Sequence, residues 1–289
     1  MPELPEVETV RRDLVKVLTG KKIIALKVFS LNTVKTPSTT FSKKLKGATI
    51  TALKRRGKLL IIELDRPNLF LLIHLKMTGQ LIYLSPTVVI TGGHTFSEAE
   101  RKREFPNRHT RVSFTFADGG QLFFNDLRKF GYLKLVDKKS LNEIIANNYG
   151  PEPLDKNFSH DLFAASLKKS SRSIKAVLLD QKVIAGLGNI YVDEALFAAG
   201  ILPDRISKSL KPAEISRLFK AIPEILKKSL KYRGTTFRNY LDGSGRSGNF
   251  SKQLQVYGRG GEKCYRCQET LKKIRLAGRG THYCPKCQK

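Results

Sequence analysis

The stretch KCYRCQETLKKIRLAGRGTHYCPKC, residues 263–287, decides the organisation of the C-terminal part of this chain. It holds all four cysteines as two C-x-x-C pairs, Cys264 with Cys267 and Cys284 with Cys287. Each pair directs two thiolates at one point, and two pairs complete a tetrahedral site that suits Zn²⁺ and leaves no open position. Redox dithiols are the alternative. We therefore predict a zinc ribbon with one structural Zn²⁺.

Positive charge dominates the remaining sequence. There are 53 Lys and Arg against 25 Asp and Glu, a formal net charge of +28. Such an excess repels itself, and nucleic acid is the commonest polyanion that offsets it, although a solvated surface of lysines is the plainer explanation. We find no apolar run long enough for a membrane span and no signal peptide, so we expect a cytoplasmic protein without a membrane partner.

The N-terminal half predicts one helix followed by strands. Apolar residues recur at three- and four-residue spacing from Val7 to Leu18, and Gly20 closes this helix. Short apolar segments bounded by turn residues follow, and Asp118-Gly119 between two of them is a hairpin signal. This pattern predicts a β-sandwich or barrel that carries an N-terminal helix. The strand segments are 58–64, 69–75, 111–116, 121–125 and 132–136.

A change of periodicity marks the second half. The stretch Gly150-Pro151-Glu152-Pro153 resembles a boundary, and the apolar spacing beyond it becomes helical. The segment DGSGRSG, 242–248, is a linker or a functional loop because its glycines and serines do not pack. We divide the chain into an N-terminal domain over 1–136, a linker over 137–154, a helical domain over 155–248 and the ribbon over 249–289.

Three residues suggest chemistry. If Met1 is removed, Pro2 presents a secondary amine, part of which is neutral and nucleophilic near pH 7. Glu3 beside it is a candidate proton donor. Lys58 opens an apolar strand, where burial would lower its pKa and make it a proton donor or phosphate anchor. Taken singly, the three have simpler interpretations: a proline before a helix, an exposed glutamate and a lysine whose stem covers apolar surface.

Longer motifs carry a family resemblance. PELPEVETVRR over 2–12, GLGNIYVDEALF over 186–197, QVYGRGGEKCYRC over 255–267 and AGRGTHYCPKC over 277–287 lie in order along the chain. Together they resemble formamidopyrimidine-DNA glycosylase from end to end. The resemblance implies a two-domain α+β fold: an N-terminal β-sandwich with its helix, and a C-terminal helix–two-turn–helix domain with a four-cysteine zinc ribbon.

The resemblance also implies catalytic roles. Pro2 would attack C1′ of the damaged nucleotide and form a Schiff base, and Glu3 would be the proton donor of the glycosylase step. Glu6 would orient the site. Lys58 would donate a proton during β-elimination and contact a phosphate. Arg279, at the tip of the ribbon, would serve δ-elimination and phosphate binding.

Further residues are implied to contact DNA. Asn189 in the helix–two-turn–helix and Lys175 nearby would bind phosphate, whereas Glu194 would orient the turn. Ser171 departs from relatives that have a DNA-contacting lysine there, so we assign no contact to it. His109 matches a DNA-contacting histidine, although a lone histidine is more often structural.

A flipped nucleotide leaves a void in the duplex, and the resemblance names the residues that fill it. Met77 and Phe130 would insert apolar surface, and Arg128 would hydrogen-bond the orphaned base. The loop over 233–248 would close over the flipped base. The lesion-capping residues are Gly234, Thr235, Thr236 and Tyr257.

The predicted function is removal of oxidised purines, 8-oxoguanine and formamidopyrimidines, from damaged double-stranded DNA by a monomeric bacterial enzyme. An endonuclease VIII-like glycosylase for oxidised pyrimidines is the nearest alternative, but such relatives usually open PEGPE where this chain has PELPE. A non-catalytic zinc-ribbon DNA-binding protein explains the charge and the cysteines. It does not explain Pro2, Glu3 and Lys58 together.

Overall fold

The computed structural model describes residues 1–94, 105–235, 240–241 and 249–289, and the chain folds as two units. The first unit comprises Met1–Ile145 and Tyr232–Ser251, and the second comprises Ala146–Lys231 and Lys252–Lys289. The segment before the ribbon thus belongs with the N-terminal unit, although the sequence grouped it with the helical domain.

Helix α1 (Leu4–Leu18) opens the first unit as predicted, with Pro5 in its first turn and its apolar stripe buried. It packs against the β-sheets closely enough that a side chain at Gly92 would meet Val10 Cγ2 at 2.8 Å. A second helix, α2 (Ser38–Leu45), buries Phe41 and Leu45 in the same core.

Two antiparallel sheets form the body of the first unit. Their strands are β1 (Ile23–Val28), β2 (Ile50–Arg56), β3 (Leu59–Leu64), β4 (Phe70–His74), β5 (Gly79–Leu84), β6 (Val89–His94), β7 (Thr110–Phe116), β8 (Gln121–Asp126), β9 (Tyr132–Val136) and β10 (Tyr240–Leu241). One sheet has the strand order β1-β7-β8-β5-β6-β10, and the other has the order β2-β3-β4-β9. The inward-facing aliphatic and aromatic side chains of both sheets make one core with α1, which confirms the predicted β-sandwich with an N-terminal helix.

The second unit is helical and ends in a hairpin, as predicted. Its helices are α4 (His160–Lys168), α5 (Ile174–Leu179), α6 (Asn189–Ala199) and α7 (Pro212–Lys231). Ser159 and Ser173 cap α4 and α5, and α6 ends at Gly200 in the left-handed conformation. Strands β11 (Lys272–Leu276) and β12 (Arg279–Tyr283) pair only with each other in the described chain.

The stretch predicted as a linker, 137–154, contains a regular helix, α3 (Lys138–Asn148). Asp137 caps its start through the Ser140 N–H at 2.7 Å, but Leu141 is its single buried residue. A helix with so little apolar periodicity gives a weak sequence signal. None of the described helices is both long and apolar enough to cross a membrane.

Candidate active site and zinc centre

The start of α1 fixes the predicted nucleophile segment. Pro2 and Glu3 are buried, whereas Met1 is half exposed. Glu3 precedes the helix, its carbonyl accepts the Val7 N–H at 3.0 Å, and its own N–H donates to Glu6 Oε2 at 2.9 Å. Because both backbone groups of Glu3 are engaged by the first helical turn, the residue before it has a defined position.

Glu6 joins this segment to a second one. Its other oxygen, Oε1, accepts the Thr235 N–H at 2.8 Å, and the carboxylate is almost fully buried. Gly234 has φ +89°, and a Cβ there would lie 2.9 Å from Glu6 Oε1, so the close approach requires glycine. Arg233 also pairs with Asp13 of α1 at 2.7 Å. Residues 233–235 are therefore held on the helix that follows the predicted nucleophile, Pro2.

Lys58 lies in the tight turn between β2 and β3 and is only 5% exposed. Near it lies His74, whose pKa is lowered to about 3 by burial and by the charges of Lys76 and Lys58. His74 Nδ1 accepts the Lys76 N–H at 3.0 Å, which requires an unprotonated nitrogen. Lys58 therefore lies in a buried environment near a neutral histidine, His74, which the sequence analysis had not identified.

A partly buried ion pair connects the turn of Lys58 to α1. Arg55 contacts Glu8 Oε2 at 3.1 Å and also donates to the Gly57 carbonyl at 2.8 Å. Burial raises the pKa of Glu8, but hydrogen bonds and charge from Arg11, Arg12 and Arg55 outweigh it and hold that pKa at about 2. Glu8 therefore stays ionised. Its ion pair with Arg55 links α1, which follows Pro2, to the turn that contains Lys58.

The three predicted void-filling residues lie together. Arg128 donates to Met77 Sδ at 3.1 Å, and its guanidinium lies 4.7 Å from the ring centre of Phe130, which is half exposed. Buried Asp126 shapes their loop: its carboxylate accepts the N–H groups of Arg128 at 3.2 Å and Gly131 at 2.6 Å. The sequence analysis missed Asp126, although an aspartate side chain commonly hydrogen-bonds the backbone two residues further on, as Asp126 does with Arg128.

His109 lies beside this loop in the first unit. It is 7% exposed, its carbonyl accepts the Asp126 N–H at 2.9 Å, and Arg108 Nε donates to His109 Nε2 at 3.0 Å. This environment gives the residue a structural role in the free protein, while its DNA contact stays a prediction.

In the second unit, two side chains that were predicted to bind DNA phosphate, those of Asn189 and Lys175, both hydrogen-bond the hairpin of the zinc ribbon. Asn189 Nδ2 donates to the Gly280 carbonyl at 2.8 Å. Lys175 is fully buried, and its Nζ lies 2.5 Å from Asp193 Oδ1 and 3.3 Å from the same carbonyl. The side chain expected on the DNA surface therefore lies inside the domain, because α6 offers a buried carboxylate that the sequence analysis had not paired with it. Arg279, next to Gly280, is exposed.

Glu194 holds the chain that leads into the ribbon. Its carboxylate accepts three consecutive N–H groups, from Gln255, Val256 and Tyr257, at 2.9–3.1 Å. Burial raises the pKa of Glu194, and these three hydrogen bonds oppose the rise. The geometry favours the orienting role over a reactive one. Tyr257, predicted in the lesion cap, lies in the second unit, Gly234 and Thr235 lie in the first, and Thr236 falls outside the described residues.

The four cysteines fit one zinc ion. Their Sγ atoms all lie within 4.8 Å of one another, with Cys264 and Cys287 at 4.0 Å and Cys267 and Cys284 at 3.4 Å. Zn–S bonds of 2.3 Å in a tetrahedron place sulfurs about 3.8 Å apart, which these distances bracket. The sulfurs adjoin a small core that includes Phe197. The cluster is a site for one structural Zn²⁺, as the cysteine spacing predicted.

The two units together have the parts of a DNA-repair enzyme of the helix–two-turn–helix and zinc-ribbon class. The family model of the formamidopyrimidine-DNA glycosylase N-terminal domain matches residues 1–133, that of its H2TH domain matches 149–240, and that of a zinc finger found in FPG and IleRS matches 261–289. The chain belongs to the formamidopyrimidine-DNA glycosylase family.

Individual relatives agree over nearly the whole length. The formamidopyrimidine-DNA glycosylase of Moorella thermoacetica is 43% identical over 95% of both chains. That of Enterococcus faecalis is 43% identical over 96% of this chain and 93% of its own. Lactococcus lactis Fpg bound to DNA with an abasic site superimposes with a TM-score of 0.86 at 41% identity, over 99% of each chain. The wild-type Lactococcus lactis protein with N7-benzyl-Fapy-dG DNA gives 0.86 at 41% over all of both.

Proposed function

We propose that this protein is a DNA glycosylase and AP lyase that excises oxidised purines from duplex DNA, with the Pro2 nitrogen as nucleophile. The observation that carries the assignment is the carboxylate of Glu6, which binds the Glu3 N–H and the Thr235 N–H at once. This carboxylate bridge fixes the position of the nucleophile segment relative to the predicted lesion-capping segment. Removal of Met1 is a condition, because an amide nitrogen at Pro2 has no free lone pair for attack.

The chemistry follows from the types of residue present. The Pro2 nitrogen, having lost its proton, bonds to C1′ as the glycosidic bond breaks, and Glu3 protonates the departing base. The C1′–O4′ bond of the sugar then opens, O4′ takes a proton, and C1′ and the Pro2 nitrogen form the iminium. The resulting iminium acidifies C2′, so loss of that proton expels the 3′ phosphate, and loss of the C4′ proton then expels the 5′ phosphate. Lys58 supplies the proton for β-elimination. Arg279 binds the phosphate that leaves in δ-elimination. The product is a one-nucleotide gap with phosphates on both sides.

Oxidised purines are the preferred substrates in this proposal. The opening PELPE supports this choice, and so does the Lactococcus lactis complex whose DNA contains N7-benzyl-Fapy-dG. A flipped purine leaves a large void, and the cluster of Met77, Arg128 and Phe130 has the mixture of apolar surface and hydrogen-bond donors to fill it. We further propose that the enzyme is a monomer that works on nucleoid DNA in the bacterial cytoplasm.

Borohydride trapping tests the assignment of the nucleophile. Mature protein should form a covalent adduct with duplex DNA that contains 8-oxoguanine opposite C, and Pro2→Gly should reduce the adduct sharply. Glu3→Gln is the matched control: it should lose base excision but still be trapped on preformed abasic DNA, where no base needs protonation. An absence of adduct with protein whose N-terminal mass shows Pro2 exposed would refute the proposal. Faster excision of thymine glycol than of 8-oxoguanine would refute the substrate class.

A further inference from the structure

The hairpin that carries Arg279 is held at both ends. Strands β11 and β12 pair only with each other in the described chain, and a lone two-stranded ribbon is marginally stable in water. The cysteine cluster anchors the end that follows Tyr283. The opposite end, where Ala277 and Gly278 make the turn before Arg279, needs a separate support.

Helices α5 and α6 give that support. The Gly280 carbonyl accepts from Asn189 Nδ2 at 2.8 Å and from Lys175 Nζ at 3.3 Å. Two residues further along β12, the His282 N–H donates to Asp193 Oδ2 at 2.9 Å, and His282 Nδ1 lies 3.5 Å from the same oxygen. Asp193 Oδ1 pairs with the Lys175 ammonium, which makes Asp193 the centre of the arrangement.

Because this ion pair is buried, it favours one arrangement of the hairpin over displaced ones. Lys175 and Asp193 are both fully buried, so neither charge can turn towards water if the hairpin shifts. A buried ion pair adds little stability over an apolar pair of the same volume, because desolvation offsets the attraction. It does penalise any arrangement that separates the charges or leaves a hydrogen-bonding group unsatisfied. Its consequence here is one fixed position for the backbone on either side of Gly280.

We propose that Asp193, acting through Lys175 and the His282 amide, is a positioning residue that sets Arg279 for the second elimination. The inference rests on the role proposed above for Arg279. Arg279 precedes the clamped Gly280, so a displacement of that carbonyl moves the guanidinium away from the leaving phosphate. Loss of the clamp should therefore slow δ-elimination while the Pro2 chemistry of the first unit continues.

The variant Lys175→Met/Asp193→Asn tests the role without burying an unpaired charge. It keeps the volume of both side chains and leaves an amide oxygen for the His282 N–H, but it removes the ion pair and the ammonium at Gly280. We expect δ-elimination on abasic DNA to slow on the order of 10- to 100-fold, the loss typical of a displaced catalytic group. Zinc content should match the parent, and so should the ratio of β-elimination to borohydride trapping, because that ratio does not depend on the DNA affinity that loss of a Lys175 phosphate contact would change.

A matched pair in the same unit is the control. Arg205 and Glu214 form a partly buried ion pair, and Arg205→Met/Glu214→Gln makes the same chemical change there. This control should keep the parental ratio of δ to β product. Hydrogen exchange adds a readout independent of activity: the His282 amide should exchange faster in Asp193→Ala and at the parental rate in the control.

Two results would overturn the inference. One is a parental ratio of δ to β product in the double variant, and the other is an equal loss of trapping and δ-elimination, since that would show general damage to the fold. Arg279→Ala separates this failure from that of the proposed function. If Arg279→Ala leaves the ratio of δ to β product unchanged, both the proposed role of Arg279 and the positioning inference are refuted. An absence of trapping in the wild-type protein instead refutes the Pro2 mechanism.

Discussion

Replacing His74 with phenylalanine should remove a pH dependence from the stability of the first unit. The imidazole is buried near Lys58 and Lys76, and its ring lies 5.7 Å from that of Tyr132. Phenylalanine keeps an aromatic ring in this place but cannot titrate. It also removes the acceptor of the Lys76 N–H, a loss that lowers stability equally at every pH.

The magnitude follows from the two pKa values. The folded pKa is about 3, against 6.5 for an unperturbed histidine. Between these values the unfolded chain binds a proton that the folded chain does not, so stability falls as pH is lowered from 6.5 towards 3. At pH 5 the difference between that pH and the unfolded pKa of 6.5 corresponds to a loss of about 2 kcal/mol in the free energy of unfolding. At pH 7.5 the loss caused by His74 is close to zero.

Guanidinium unfolding at pH 7.5 and pH 5.0 measures the effect as a difference of differences. The parent should lose about 2 kcal/mol more than His74→Phe between the two pH values, whatever the other titrating groups contribute to both proteins. His74→Gln, which retains an acceptor for the Lys76 N–H, should behave like the phenylalanine variant in its pH dependence. Equal losses in parent and variants would show that His74 is not held neutral, and the reasoning from its burial would fail.

Three further changes have defined outcomes. Gly234→Ala should lower the free energy of unfolding by about 1–2 kcal/mol because of the left-handed φ, and it should also reduce Schiff-base trapping because the new Cβ displaces Glu6. Gly119→Ala, which has a similar φ but open space around it, should lose stability without any loss of trapping. Arg55→Met should slow β-elimination roughly tenfold by loosening the turn of Lys58, with base excision less affected; equal slowing of both steps would contradict this. Chelation of zinc should weaken DNA binding and abolish δ-elimination, while trapping at saturating abasic DNA persists; full activity after chelation would refute the role of the ribbon.

Local patterns made parts of this protein predictable. The helix at Leu4–Leu18 follows from apolar spacing and the proline at its start, and the zinc site follows from thiol chemistry at two fixed separations. The resemblance then named residues such as Met77 and Phe130, which lie together on one surface of the first unit, and their insertion into DNA stays a prediction. The helix and the zinc site could be predicted because each depends on neighbours in sequence or on a motif read as a whole.

The sequence by itself determined the class of fold and the metal, because those depend on periodicity and on the chemistry of single residues, and it supplied the set of side chains that we propose to be reactive. Only the tertiary structure decided what surrounds them. It paired Lys175 with Asp193 inside the second unit and put His74 near Lys58 in the first. Burial and charge partners come from segments distant in the chain, and they set which group is ionised, which donor is occupied and which backbone is held in place.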